Sequence, residues 1–513
     1  GDRMFRKAGR IKIFTDQKII TRDNVLSVLR KAYAKHRINA EEIQYLMDYE
    51  RGEQPLQRPK ITRKDIDIQT NDNLANYIKE FKIGYFWGTP VTYVQRGDKE
   101  HHGTDENVDS AGISALNEMV KNGNSIGKEN MELAEFVETS GIGHRVVEIK
   151  TDFDTDAIPS TYVNIHTLDS RNTFCVYYAG IGQPKVMGVT YAKISGKVYF
   201  TCITDTSIFE IQGTNGNTIQ EYINPFGMIN IVEYERSVDR TGCFERQISL
   251  MDNLNIMVSD FANNVTQNVQ ALWWANDIEF PIDETTGETK TPKSNEWVMT
   301  HSDSGGGTNQ KLQAIENPFD GVSTLNAIGD TRTKILQNAK VPIQYTSEGG
   351  GSTGVATDAM TGWSATEVDA IREEQMIGCA EREELTLILK AISFVPTNIL
   401  PADDPIRNVH VSDVDFHFNR RRNYDMAVKA NAFATWVSHG LKGRHALKAV
   451  DAFEDVEQVW EDSKEGIEAY QMSTYGNNDS QNTDERIMSD NSDQTGNSPI
   501  IDGMNTDNSK QMV

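Results

Sequence analysis

The stretch SEGGGSTGVATDAM, residues 347–360, is a glycine-rich run of the kind that leads into a helix at phosphate-binding sites. A nucleotide cradle of the form G-x-x-x-x-G-K-[ST] uses its lysine to reach the terminal phosphates and its hydroxyl to hold magnesium. Here Gly349, Gly350, Gly351 and Gly354 are followed by Val355 and Ala356, and no lysine or arginine occurs between Gln344 and Ile371. What is left is a cation-free loop in which Thr346, Ser347, Ser352 and Thr353 carry the hydrogen-bonding groups.

Two further clusters offer ligand atoms. Asp152, Asp154 and Asp156 in DFDTD have the alternate spacing of a calcium loop, but Ala157 stands where the sharp turn needs glycine and Val163 where a bidentate glutamate belongs. His101, His102, Asp105 and Glu106 lie in EHHGTDE, a polar, glycine-containing stretch in which adjacent histidines are ordinarily solvated. Cys175, Cys202, Cys243 and Cys379 are far apart and form no C-x-x-C pair, so neither a zinc site nor a disulfide framework is expected and a reducing cytosol fits. There is no His, Ser and Asp set at a catalytic spacing. The expectation is a protein that is not an enzyme, with no metal and no cofactor.

The 513 residues are too many for one core and predict several domains or layers. A balance of 51 Lys+Arg against 75 Asp+Glu, net -24, excludes a protein whose whole surface grips nucleic acid, although a local channel remains open to it. The apolar stretches fall short of the roughly 20 residues a membrane span requires, so no membrane partner is expected.

The elements that would position the glycine loop follow from periodicity. Helical spacing occupies 16–48, 73–85 and two segments between Asp109 and Leu133. Short β-branched and aromatic runs separated by turn residues fill 144–234. From 246 to 272, Leu250, Leu254, Met257, Phe261, Val265 and Leu272 recur at three- and four-residue steps, with Asn264 and Asn268 on the same side, which predicts a helix covered by neighbours and only partly dry. A second long helix, 322–340, carries Leu325, Ile328, Ile335 and Leu336 and ends before Pro342. Residues 273–318 between them are turn-rich. The glycine loop comes next, then a third long helix over about 365–392, an alternating strand in HVSDVDFHF, and a helical unit over 424–470. Beyond Gln471 the composition predicts disorder. The fold class expected is α+β.

In order and distance these blocks resemble the portal proteins of tailed bacteriophages, of the type found in long-tailed phages of Gram-positive hosts. GYFWGTPVTYV resembles that family's G-x-P-[VI]-x-Y block, NPFGMINIVEYERSVDRTGCFERQISLMDNLN its N-x-x-G-x-[IV]-P-[VI]-x-x-[FY] block and the acidic approach to a first stem helix, and GGSTGVATDAM its S-G-x-A-[LM] block. Asn230 stands where the family usually has proline, and Thr353-Gly354-Val355-Ala356-Thr357 lacks the usual serine and large apolar residue.

The resemblance implies a ring of about twelve subunits around a channel. Its divisions here would be a mixed α/β wing (1–244, with the return strand in 395–422), stem helices at 245–272 and 321–341, a clip at 273–320, a tunnel loop at 342–364, a long helix at 365–394, a helical crown at 423–470 and an acidic tail at 471–513. It also implies double-stranded DNA in the channel, contacted without sequence preference. The protein partners would be other copies of the chain, the terminase large subunit, scaffolding and major capsid proteins, and a head-tail adaptor. The place would be a capsid vertex of the virion, with assembly in the host cytoplasm. Lys334 and Lys340 would be the candidates for channel-facing positive charge, the alternative being solvated helix lysines. A nucleotide-using enzyme and a head-to-tail adaptor ring are the competing readings, and adaptors are usually far shorter.

Overall fold

Strand alternation builds the larger sheet. In the computed structural model, which describes residues 8–56, 67–96, 106–120, 126–151, 161–216, 218–269, 272–276, 311–315, 320–343, 362–418, 420, 426–450, 459–460 and 462–467, the chain divides into two units, Gly1–Arg421 and Arg422–Val513.

In the first unit, strand β1 (Ile13–Thr15) precedes helix α1 (Val25–Glu50), α2 (Leu74–Lys82), β2 (Thr92–Gln95), α3 (Glu106–Glu118) and α4 (Ile126–Ser140). Eight strands follow: β3 (Ile142–Ile149), β4 (Val163–Leu168), β5 (Thr173–Tyr178), β6 (Lys185–Ile194), β7 (Lys197–Ile203), β8 (Ser207–Gln212), β9 (Thr218–Ile223) and β10 (Ile231–Glu235). A six-stranded sheet runs β1-β5-β6-β7-β8-β9, with β1 parallel to β5 and the rest antiparallel. Phe174 and Val176, Met187 and Val189, Phe200 and Cys202, Phe209 and Ile211 alternate onto its inner face, where Val25, Val28, Leu29 and Ala32 of α1 cover them. A three-stranded sheet, β10-β3-β4, forms a second layer.

Helix α5 (Ile248–Val269) leads into β11 (Leu272–Asn276), which pairs antiparallel with β12 (Lys311–Ile315) before helix α6 (Gly321–Asn338). The first stem helix therefore stops at Val269, three residues short of the expected boundary, and Leu272 is a strand residue opposite Ile315. Helix α7 (Trp363–Ser393) lies on the second layer, burying Ile377, Leu385, Ile388 and Ile392 in the core that α4, β3 and β10 share. The expected strand in HVSDVDFHF is shorter than its alternation predicts. Val411–Asp413 is a 3-10 turn, and only β13 (Val414–His417) pairs, antiparallel to β2.

Helix α2 continues into a π-helical turn, Ile83–Trp87, before the glycine and proline that end it. The second unit contains α8 (Met426–Ser438) and α9 (Gly443–Val450), with further helical residues at 459–460 and 462–467.

Candidate functional site: the stem and the root of the glycine loop

The two stem helices pack at their bases. Met251 and Leu254 from the start of α5 meet Ile335 and Leu336 from the end of α6, together with Leu46, Tyr49, Leu74 and Ile78 from α1 and α2. Leu250 and Ile328 pack against the same cluster. The stem stripe thus has two fates. Leu254, Ile335 and Leu336, expected to be covered by other subunits, are covered by the chain's own core. Met257 and Phe261 are half-buried, while Val265, Val322 and Leu325 keep 43%, 71% and 52% of their surface exposed.

A polar stripe accompanies the apolar one. Asn255, Ser259 and Asn263 recur at every fourth position of α5 and are buried. They dock every second residue of an extended segment that precedes α2. Asn263 receives Ile68 N–H at 2.8 Å and donates to Ile68 C=O at 2.9 Å. Ser259 Oγ accepts from Thr70 N–H at 3.0 Å and donates to Thr70 C=O at 3.1 Å. Asn255 Oδ1 accepts from Asp72 N–H at 2.8 Å. The match is geometric: four helical residues rise about 6 Å and two extended residues about 6.6 Å. Sequence reading noticed Asn264 and Asn268 but missed this set. Its signal was the four-residue spacing of small amide and hydroxyl side chains.

The glycine loop, with Thr346, Ser347, Gly349, Gly350, Gly351, Ser352, Thr353 and Gly354, lies outside the described residues, but both of its ends are described. On the entry side α6 closes with Lys340 N–H donating to Gln337 C=O at 3.0 Å and Val341 N–H to Leu336 C=O at 2.9 Å. This two-bond closure places Lys340 in the left-handed region, φ 56°, where glycine is usual. On the exit side Gly362, φ 87°, precedes α7.

Side chains tie the two ends together. Thr366 Oγ1 donates to Lys340 C=O at 2.9 Å, and Lys340 Nζ binds Asp369 Oδ1 at 2.8 Å. Asp369 Oδ2 accepts from Lys82 Nζ at 2.9 Å and from an Arg236 amino group at 3.0 Å. Burial would raise the Asp369 carboxyl, but Lys82 and Arg236 overrule it and hold the group well below the usual carboxylate range. Arg236 Nε also binds Glu138 at 2.8 Å, and Trp87 Nε1 donates to the other Glu138 oxygen at 3.2 Å. Glu373 beside it is pushed up by burial and by the charge of Glu138. Behind this cluster Arg420 pairs with Glu367 and Glu374.

The lysine candidates are therefore both engaged within the chain. Lys340 is held by Asp369, and Lys334 pairs with Asp330 one turn away at 2.7 Å on an exposed face.

Among the described residues, His144, Cys175 and Glu233 bring three potential metal-ligand atoms within 4.8 Å of one another. Their chemistry is already occupied: Glu233 is shared by His144 Nε2 at 3.2 Å, the Tyr177 hydroxyl and the Arg240 guanidinium, and burial pushes the Cys175 thiol up. A cation there would have to displace Arg240. Asp152, Asp154, Asp156, His101, His102 and Asp105 lie outside the described residues, and Glu106 opens α3.

At the position where portal proteins usually have proline, Asn230 is buried. Its Nδ2 donates to Val147 C=O at 2.9 Å, and its C=O accepts from Val147 N–H at 3.1 Å. That backbone bond uses the carbonyl, a group proline also has, so strand pairing tolerates either residue.

Among the described residues no helix is long and apolar enough to cross a membrane. The family model described as phage portal protein, SPP1 Gp6-like, matches residues 30–473 of the chain. No curated protein matches it.

Proposed function

Because the chain belongs to the phage portal protein family, SPP1 Gp6-like, we propose that it forms a ring of about twelve subunits at one capsid vertex and conducts double-stranded DNA inward during packaging and outward during ejection. The family match over residues 30–473 carries this reading. Portal proteins are structural components of the virion, and the absence of a lysine in the glycine loop agrees with a role other than nucleotide hydrolysis. An adaptor ring would leave the match to the portal family unexplained.

In the proposed assignment α5 and α6 are the stem, the β11–β12 ribbon belongs to the clip that docks the terminase motor, and residues 342–364 are the tunnel loop. Scaffolding and major capsid proteins and a head-tail adaptor are the remaining protein partners. The channel must pass DNA without holding it, and each phosphate neutralised by a fixed cation adds salt-dependent affinity. A loop without cations, flanked by Lys340 and Lys334 already paired to Asp369 and Asp330, suits weak contact with the backbone. The clamp at Lys340, Thr366 and Asp369 would fix the two ends of the loop while its glycines let each copy follow a rod whose symmetry differs from the ring's. Val265, Val322 and Leu325 are the apolar stem positions proposed to meet neighbouring subunits.

Light scattering of the purified protein tests the assembly. The mass should approach about twelve times the 57.6 kDa subunit, and micrographs down the axis should show a perforated ring. A stable monomer with cooperative unfolding would rule the reading out.

A further inference from the structure

The middle of α7 meets the wing through a second group of buried charges, separate from the loop root. Glu381 and Glu384, 5% and 1% exposed, converge there on a single cation. Arg145 of β3 directs one amino group to both Glu384 oxygens, at 3.2 and 3.1 Å, and the other to Asn130 Oδ1 of α4 at 2.7 Å. Its Cζ lies 5.5 Å from the centroid of the Tyr234 ring of β10. The Tyr234 hydroxyl bonds Glu384, and its oxygen also lies 3.3 Å from Glu381 Oε1.

Arg145 is thus spent on Glu384 and Asn130, and among the described residues the groups that face Glu381 supply no second cation. They are Glu384 on its own helix, Arg145 on β3, Tyr234 on β10 and Tyr93 on β2, with Asn130 of α4 and Asn117 of α3 completing the wall. All of these except Tyr234 line a cavity of about 10 Å³, room for a single water with polar partners. Among the described residues, the Arg145 Nε is buried there without a hydrogen-bond partner. Two carboxylates around one guanidinium leave one negative charge in excess among buried side chains, and a buried unpaired charge is strongly unfavourable.

We propose that Glu381 is a proton-operated latch: with its carboxyl protonated it closes this cluster and holds the middle of α7 on the wing strands, and loss of the proton loosens the helix. Burial and the charge of Glu384 push its carboxyl up to about 8, in agreement with this geometry. The latch stands whether or not the chain carries DNA. It predicts that α7 is held most firmly in mildly acidic solution and progressively less so as the medium becomes alkaline.

Hydrogen exchange of α7 amides in the assembled full-length protein, compared with Glu381→Gln at each pH, tests the latch, because the intrinsic pH dependence of exchange cancels between the two. The ratio of opening constants, wild type over variant, should rise roughly tenfold per pH unit between about 5 and 8, then level off. A ratio that stays flat over that range overturns the proposal. If Glu381→Gln does not fold, Glu384→Gln carries the test: Arg145 is then free to pair with ionised Glu381, so the variant escapes the loosening and the ratio, wild type over Glu384→Gln, should rise over the same range. As a direct readout, the infrared band of a protonated carboxyl at neutral pH should be weaker in the variant lacking Glu381. An unchanged band means that Glu381 is ionised and the latch is wrong.

Discussion

Asn263 of α5 holds both backbone groups of Ile68, accepting its N–H at 2.8 Å and donating to its C=O at 2.9 Å. A side-chain amide here does what a neighbouring strand would do, so the segment before α2 is fastened without a sheet. Asn263→Ala removes both bonds and leaves the Asn263 site lined by Ile68 groups that must find water. We expect a loss of about 1 to 2 kcal/mol. Limited proteolysis should cut first near residues 67–72 in the variant, with the stem helices still intact. Unchanged protection of that segment would show that the amide is not what fastens it.

At the loop root the two members of one ion pair should behave differently. Asp369 serves Lys82, Arg236 and Lys340 at once, and Lys82 is almost wholly buried. Asp369→Ala leaves the buried Lys82 ammonium without its carboxylate, while Arg236 keeps Glu138, and breaking a buried pair in this way costs about 3 to 5 kcal/mol. Lys340 is about a third exposed, and Lys340→Ala removes an interaction that solvent already screens, worth less than about 1 kcal/mol. Lys340→Gly should cost less still, since glycine relieves the left-handed backbone at that position. Denaturant titration of the three variants gives the order directly.

Acid should weaken the larger sheet through His36. The imidazole is buried, stacks on Phe174 with centroids 4.4 Å apart, and donates Nε2–H to Arg171 C=O at 2.9 Å. Burial lowers it from an ordinary 6.5 to about 4. The unfolded chain therefore takes up a proton between those two values that the folded chain refuses. Stability from this group is complete above pH 6.5, falls as the pH drops toward 4 and changes no further below it, a loss of about 3 kcal/mol in all. Thermal melts of wild type and His36→Gln across that range should differ in slope. Parallel curves would assign the acid loss to other groups.

The stem separates assembly from folding. Val265→Asp and Leu325→Asp place charges on exposed positions, so the subunits should fold and remain small in light scattering. Leu254→Asp or Ile335→Asp buries a charge in the chain's own core and should abolish folding itself. Normal rings from the first two variants would move the intersubunit surface elsewhere on the molecule.

Much of this architecture was legible in the chain. Period-two pairs such as Phe200 with Cys202 and Phe209 with Ile211 mark the sheet, and the seven-residue step from Ile328 to Ile335 marks a helix, because burial on one face leaves a periodic trace. Periodicity does not say what does the burying. Leu254 and Val265 read as one stripe, yet the first is covered by α6 and the second is exposed. The helix end at Val269 was overrun because Leu272 continues the apolar rhythm from within a strand. The loop root was hidden for another reason: Lys340 sits where glycine is usual, and the contacts that hold it come from Thr366 and Asp369, beyond the loop, and Lys82, far earlier in the chain. Their pairing belongs to tertiary structure and leaves no local pattern.

The proposed role of the segment between Lys340 and Gly362 is most directly tested by packaging DNA into procapsids built with altered loops. Proline within residues 349–354, or shortening of that run, should leave rings intact and reduce packaging, because only motion around the duplex is lost. Lysines at Ser352 and Thr353 should also reduce it, by adding phosphate contacts in every subunit, and added salt should partly restore the rate. Full packaging by both the stiffened and the lysine-bearing loops, in rings that assemble normally, would contradict the account and remove this segment from the channel.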